Sequence, residues 1–196
     1  MIKPKEDKID DRFIGQHFRI KYNKKNYHYY MKDLGKGFGT FVKMNKIFEI
    51  KNNFLISIGG NYIVITLGKD QDNSLRESIS DYNKEDSNED RTINFRLFSG
   101  NIKQGSFSFD KNKAIITIGR CSDCDISIDD YMLSRYHCTI FFKNNKWFIS
   151  DGLIKNNDFI KPSTNGTWLY TFEDTIIDDK MIFKSNKNLF ICNLEK

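Results

Sequence analysis

Two stretches, IGRCSDCDISIDDYMLSRYH at residues 118–137 and KPSTNGTWL at residues 161–169, decide the fold. Each starts or ends as a short apolar strand and contains a polar loop. Side chains that can bind an oxyanion are concentrated in them: Arg120, Ser134, Arg135, Thr164 and Asn165. Neither stretch pairs a nucleophile with a base and a carboxylate, so the pattern favours holding an anion over breaking a bond.

Three motifs occur in a fixed order in the second half of the chain. They are Gly119-Arg120, Ser134-Arg135-Tyr136-His137 and Ser163-Thr164-Asn165-Gly166-Thr167. With these motifs, residues 93–195 resemble a forkhead-associated (FHA) domain. FHA domains are β-sandwiches whose loops bind phosphothreonine peptides, and the resemblance implies the same fold and ligand for this chain.

The resemblance also implies a role for each candidate contact residue. Arg120 and Ser134 are expected to anchor the phosphate, Thr164 to support them, and Asn165 to grip the main chain of the ligand. Charge agrees with this assignment, because a phosphothreonine carries about −1.5 to −2 charges and three acceptor oxygens. An arginine fork can bind two of those oxygens at once. Arg135 either reaches the phosphate or stays solvated.

Gly119, His137 and Gly166 are expected to support the site without touching the ligand. His137 could in principle act as a base, but the sequence places no nucleophile beside it, and in the family this histidine braces the loop by hydrogen bonding. Gly166 is expected in a left-handed turn that a side chain would strain. We therefore predict no catalytic residue.

Strand patterns run through the whole chain and predict an all-β fold. His17–Tyr22 alternates apolar and polar residues, and a glycine turn separates the apolar runs Phe54–Ile58 and Tyr62–Leu67. Further short strands follow at close spacing between Ile93 and Cys192, as is typical of a sandwich. We predict an FHA-type β-sandwich with a second, partial β-unit at the N-terminus.

The N-terminal unit is predicted from an internal repeat. Asp10–Ile20 aligns with Asp130–Ile140, histidine on histidine, and Gly39-Thr40-Phe41 corresponds to Gly166-Thr167-Trp168. In the first copy, however, Phe38 stands where the asparagine is expected and the Ser-Arg pair is missing. We expect this degenerate unit not to bind phosphothreonine and instead to pack against the second unit or a partner.

The predicted domain boundaries follow from these patterns and from one polar segment. They are a flexible N-terminus at 1–9, a degenerate partial FHA-like unit at 10–69, an acidic linker at 70–91 and an FHA domain at 92–196. The linker carries eight acidic residues and few apolar ones. Within the FHA domain, residues 152–160 are predicted to form a long loop that sets sequence preference, with Lys155 and Lys161 favouring acidic ligand residues.

Other classes of function are less well supported by the sequence. The net charge of +5 suits phosphorylated partners, but a lysine- and asparagine-rich composition gives such a charge by default. Cys121 and Cys124 form a C-x-x-C without a matching second pair, so metal and redox uses are set aside. The lysines and aromatic residues of Tyr22–Tyr30 could stack on a nucleic acid, but a solvated strand pair explains them equally well.

The N-terminus lacks the apolar core of a signal peptide, and no stretch approaches the roughly 20 apolar residues of a membrane span. We therefore expect an intracellular protein, cytoplasmic or nuclear, with no membrane partner. The sequence predicts a non-catalytic adaptor without cofactors that binds threonine-phosphorylated proteins; it specifies no oligomeric state. Two alternatives stay open: a targeting segment of a larger signalling enzyme, and a scaffold that binds partners without phosphate.

Overall fold

The computed structural model describes residues 16–68, 92–155 and 158–194. Every element of secondary structure in these ranges is a β-strand. The predicted all-β class is confirmed. Across the described ranges, no helix has the length and apolarity needed to cross a membrane. The predicted segments 1–9 and 70–91 lie outside these ranges. The strands are β1 (Phe18–Asn23), β2 (His28–Asp33), β3 (Thr40–Lys43), β4 (Phe48–Glu49), β5 (Phe54–Ile58), β6 (Asn61–Leu67), β7 (Thr92–Ser99), β8 (Ile102–Asp110), β9 (Ile115–Gly119), β10 (Ile126–Ser127), β11 (Cys138–Lys143), β12 (Lys146–Asp151), β13 (Leu153–Lys155), β14 (Asp158–Lys161), β15 (Trp168–Tyr170), β16 (Thr175–Ile176), β17 (Ile182–Ser185) and β18 (Asn188–Ile191).

The chain divides into two compact units whose boundaries differ from the predicted ones. A central unit consists of Met44–Leu169, and a terminal unit combines Met1–Lys43 with Tyr170–Lys196. Strands β4–β6, predicted in the unit 10–69, therefore belong to the central unit. Strands β16–β18, predicted in the domain 92–196, belong to the terminal unit. The reason is strand pairing: the hairpin β11–β12 pairs with β4, whereas β16 pairs with β2.

The central unit is built from two β-sheets. One has the order β15-β5-β6-β7-β8, and the other has the order β10-β9-β11-β12-β4. The pairings are antiparallel except for β9 with β10. Isoleucines on alternate positions of β5, β6 and β9 bury one face of each strand, as the period-two pattern requires. These residues, with Phe95, Ile140 and Trp147, form the large core.

The terminal unit has a smaller core. Strand β2 lies between β1 and β16, and β17 lies between β18 and β3. Five buried residues form this core: Met31, Val42, Ile177, Met181 and Phe183. Strand β18 is exposed along its length, and most of β1 is exposed as well.

The segment predicted as a long loop at 152–160 is instead an antiparallel hairpin of β13 and β14. Gly152 starts the hairpin with a φ of +79°, and a Cβ there would overlap the carbonyl group of Lys161. Close approach of the two strands therefore depends on glycine at this position. The short apolar pair Leu153-Ile154 was a strand signal that the loop interpretation overlooked.

Candidate functional site

All five predicted contact residues line one cleft of the central unit, with a volume of about 590 Å³. Arg120 follows the end of β9, and Ser134 and Arg135 lie in the loop before β11. Thr164 and Asn165 lie in the loop between β14 and β15. The motifs that the sequence spreads over 46 positions, from Arg120 to Asn165, are thus brought to one face.

Gly119 allows the first two loops to meet. A Cβ at this buried position would overlap the carbonyl group of Arg135. The backbone N–H of Arg120 donates to the carbonyl of Ser134 at 3.1 Å, which ties the loops together next to the glycine. The Arg120 side chain is exposed to solvent. It is therefore placed to meet an anion from solvent.

Ser134 is held at both its backbone and its side chain. Its N–H donates to Nδ1 of His137 at 3.1 Å, and its Oγ accepts the backbone N–H of Thr164 at 2.9 Å. The Ser134 hydroxyl lies 3.3 Å from Oγ1 of Thr164, a long bond for two hydroxyl groups. Its proton can therefore turn to a stronger acceptor at little cost, and a phosphate oxygen is such an acceptor.

His137 lies beneath the cleft with no exposed surface. Its Nε2 is 3.1 Å from the carbonyl oxygen of Gly166, so the proton belongs on Nε2 and Nδ1 is left to accept from Ser134. Burial lowers the pKa of His137, although the Gly166 carbonyl opposes the shift. The neutral His137 ring thus connects the loop that carries Ser134 with the loop that carries Thr164 through these two hydrogen bonds.

Asp151 organises the second loop, a role that the sequence analysis did not assign. One of its oxygens accepts the hydroxyls of Ser163 at 2.6 Å and Thr167 at 2.8 Å, and the other accepts the Ser163 N–H. The Ser163 hydroxyl in turn accepts the N–H of Gly166, whose φ is +81°. The sequence signal was an aspartate at the end of a hairpin followed by a Ser-Thr-Asn-Gly turn.

Asn165 joins the two loops on the open side of the cleft. Its Nδ2 donates to the carbonyl of Met132 at 2.7 Å, and its backbone carbonyl accepts the indole N–H of Trp168 at 3.1 Å. The bond to Met132 orients the side-chain amide, whose Oδ1 can still accept a hydrogen bond.

The cleft is electropositive. Its lining includes Arg120, Arg135 and Lys161, and, in the part of the chain that the structure describes, no aspartate or glutamate. The wall also has apolar surface from Leu153 and Pro162. A dianionic group would be attracted to this face, and nearby apolar surface would receive methyl or methylene groups.

The C-x-x-C sits beside the cleft in a tight turn. The N–H of Cys124 donates to the carbonyl of Cys121, and its thiol contacts the carbonyl of Arg135 at 3.2 Å. Burial raises the pKa of Cys124, which disfavours the thiolate that metal binding and redox chemistry need. The described residues contain no cluster of His, Cys, Asp or Glu that could hold a metal ion.

Comparison with known protein families gives a match to part of the chain. Residues 116–187 match the family model of the FHA domain. No curated protein and no solved structure matches the chain. FHA domains are in general non-catalytic interaction modules that bind phosphothreonine-containing proteins. The match covers every candidate contact residue and continues past Leu169, so its last part lies in the terminal unit.

Proposed function

We propose that the cleft binds phosphothreonine within an extended peptide and that the protein acts as a phosphorylation-dependent adaptor. One observation carries the proposal. Five anion-binding or peptide-binding side chains from three separate loops line one cleft, alongside a third cation, Lys161. Surface groups on unrelated loop tips would have no reason to converge in this way.

In this proposal each group has a defined partner. Arg120 binds two phosphate oxygens through its fork, and the Ser134 hydroxyl donates to the third. The Thr164 hydroxyl, released from its long contact with Ser134, adds a further donor. Arg135 lies at the same face and adds charge. Asn165 accepts a main-chain N–H of the peptide and thereby favours an extended ligand.

The test is a titration of peptides that carry phosphothreonine, phosphoserine or unmodified threonine. Wild type should bind the phosphothreonine peptide most tightly. Arg120→Ala should weaken that binding by at least about 100-fold, because two charge-assisted hydrogen bonds are lost at about 1.5–3 kcal/mol each. Arg19→Ala is the matched control, since Arg19 is a half-exposed arginine of the terminal unit paired with Asp174.

Equal binding of the phosphorylated and unmodified peptides by wild type would favour a scaffold that works without phosphate. Equal losses for Arg120→Ala and Arg19→Ala would show that only net charge matters. Either result would refute a specific phosphate site.

We further propose that residues 10–67 and 130–194 are two FHA-like repeats, of which only the second carries the anchors. Residues 41–67 and 168–194 align without a gap at a constant offset. Matching positions share unusual geometry: Asn53 and Lys180 have φ values of +58° and +61°, and Gly59 and Asn186 have +54° and +53°. The first-repeat positions Asp10–Gly15 lie outside the described residues.

The backbone pairing of the two repeats supports the same correspondence. The N–H of Ile50 donates to the carbonyl of Trp147 in the central unit, and the N–H of Ile177 donates to that of Tyr29 in the terminal unit. Each bond joins the second half of one repeat to the hairpin of the other. In this proposal the two repeats have exchanged their last three strands, β4–β6 for β16–β18.

A further inference from the structure

We infer that the phosphate site of the second repeat is positioned by a turn of the first repeat, through a clamp between Asp130 and the segment Gly59-Gly60-Asn61. This inference rests on the proposed function. The clamp lies outside the residues expected to touch the ligand. It acts on the segment Tyr131–Ser134, here called the anchor loop, which ends in the phosphate anchor Ser134.

The clamp consists of three hydrogen bonds to one carboxylate. Oδ2 of Asp130 accepts the N–H of Gly60 at 3.0 Å and Nδ2 of Asn61 at 2.8 Å. Oδ1 accepts the N–H of Met132 at 2.8 Å, inside the anchor loop. One side chain thus fastens the start of the anchor loop to the turn between β5 and β6. Asn61 is nearly fully buried, so its bond to Asp130 is partly sheltered from competing water, whereas the bonds from Gly60 and Met132 are exposed.

Gly59 makes the approach of this turn possible. A Cβ at Gly59 would overlap Oδ2 of Asp130 and come within 3.0 Å of the Leu133 side chain. The second repeat has Asn186 at the matching position of its own turn, with nearly the same φ. A side chain at that position would collide with the carboxylate. The turn at Gly59 can therefore pack against the anchor loop, whereas the matching turn at Asn186 cannot.

The core of the central unit also fits the strands β5 and β6 of the first repeat better than the matching strands of the second. Strands β5 and β6 bury Ile58 and Ile65 completely in the central unit. The matching residues of the second repeat are Ser185 and Cys192, which would leave voids in that core. Both the turn at residues 59–61 and the adjacent strands β5 and β6 therefore fit the central unit better than their counterparts in the second repeat. The site is composite: one repeat supplies the anchors and the other supplies the part that positions them.

The experiment is a double-mutant cycle in the full chain. Asn61→Asp places a second carboxylate against Asp130, and Asp130→Asn combined with it restores an amide–carboxylate pair in the opposite direction. Two quantities are measured: affinity for a phosphothreonine peptide, and hydrogen exchange of the Met132 amide in the free protein. Asn188→Asp is the matched control, because Asn188 holds the corresponding position in the terminal unit.

The clamp predicts that Asn61→Asp weakens peptide binding about 10-fold and speeds Met132 exchange, within the usual range for coupled neighbours. The double variant should recover part of both losses, because the Asn61–Asp130 contact is restored in reverse but the new amide nitrogen cannot accept the Gly60 N–H. Asn188→Asp should show neither loss. Should Asn61→Asp fail to fold, Asp130→Asn alone takes its place and should cause a smaller loss of the same two kinds.

Unchanged Met132 exchange in the folded variants would overturn the clamp, as would a loss of affinity that the double variant does not recover. A wild type that binds no phosphopeptide would instead refute the proposed function. In that case Met132 exchange alone decides the clamp, since it needs no ligand.

Discussion

A fragment of residues 92–196 should fail as an independent phosphothreonine-binding domain, although it contains the whole FHA-like stretch predicted from the sequence. It lacks residues 44–67, which include β4–β6 and supply seven buried side chains to the core of the central unit: Met44, Ile50, Phe54, Ile56, Ile58, Ile63 and Ile65. A fragment of residues 44–169 has all of them and should fold and bind. The domain boundary predicted from the sequence motifs would therefore give a fragment that does not fold.

The loss of stability in the fragment 92–196 depends on which residues replace those of β4–β6 in the core. The strands β16–β18 are the ones in this fragment that could take their place. At three of the seven core positions they bring smaller or more polar residues: Thr171 for Met44, Ser185 for Ile58 and Cys192 for Ile65. At about 2 kcal/mol each, the three replacements cost about 6 kcal/mol. That cost is comparable with the whole stability of a small domain, about 5–15 kcal/mol.

Both fragments can be followed by urea unfolding with the fluorescence of Trp147, which is 1% exposed in the central unit, and by phosphothreonine peptide titration. The expected result is a cooperative transition and full affinity for 44–169, with neither for 92–196. A free energy of unfolding for 92–196 within about 2 kcal/mol of that for 44–169 would refute the reasoning, because the replacement cost would then be absent.

Two further predictions concern the supports beneath the cleft. Gly119→Ala should lower the free energy of unfolding by about 1–3 kcal/mol and weaken peptide binding, because the new Cβ overlaps the Arg135 carbonyl. Gly105→Ala, where the nearest atom is at 3.4 Å, is its control in urea unfolding, and equal effects would contradict the idea. Because burial lowers the pKa of His137, the unfolded chain binds more protons than the folded one below its ordinary value of 6.5. Stability should therefore be highest above pH 6.5 and fall as the pH drops from 6.5 to 5, with a slope of at most about 1.4 kcal/mol per pH unit for one proton. Urea unfolding at both pH values should show a flatter dependence for His137→Asn, and an unchanged dependence would count against this assignment.

The all-β class and the grouping of the candidate contacts could be read from the sequence because both depend on local features. Strands and turns follow from alternation and from turn residues over a few positions. Arg120, Ser134 and Thr164 lie just outside strands, and neighbouring strands of a sandwich bring such loops to a common end. Three motifs in order were therefore enough to assemble the cleft.

The pairing of β4 with the hairpin β11–β12, and of β16 with β2, could not be predicted in this way. The segments 41–67 and 168–194 have equal length and the same strand pattern, so either could pair with either hairpin. Which segment pairs with which hairpin depends on side-chain volume in the core and on the missing Cβ of Gly59. Both depend on three-dimensional contacts, which the apolar and polar pattern of the sequence does not contain. The bond between Asn61 and Asp130 was missed for the same reason, because its partners are 69 positions apart.

Because β4–β6 belong with the hairpin β11–β12, the order of synthesis matters for this chain. Leu67 leaves the ribosome about 70 residues before Cys138, so at about 5–20 residues per second the isoleucine-rich strands wait several seconds for their partner. During that delay the hairpin β1–β2 has already been synthesised and offers strands with which β4–β6 can pair wrongly. Slower elongation after Leu67 should increase the yield of misassembled protein.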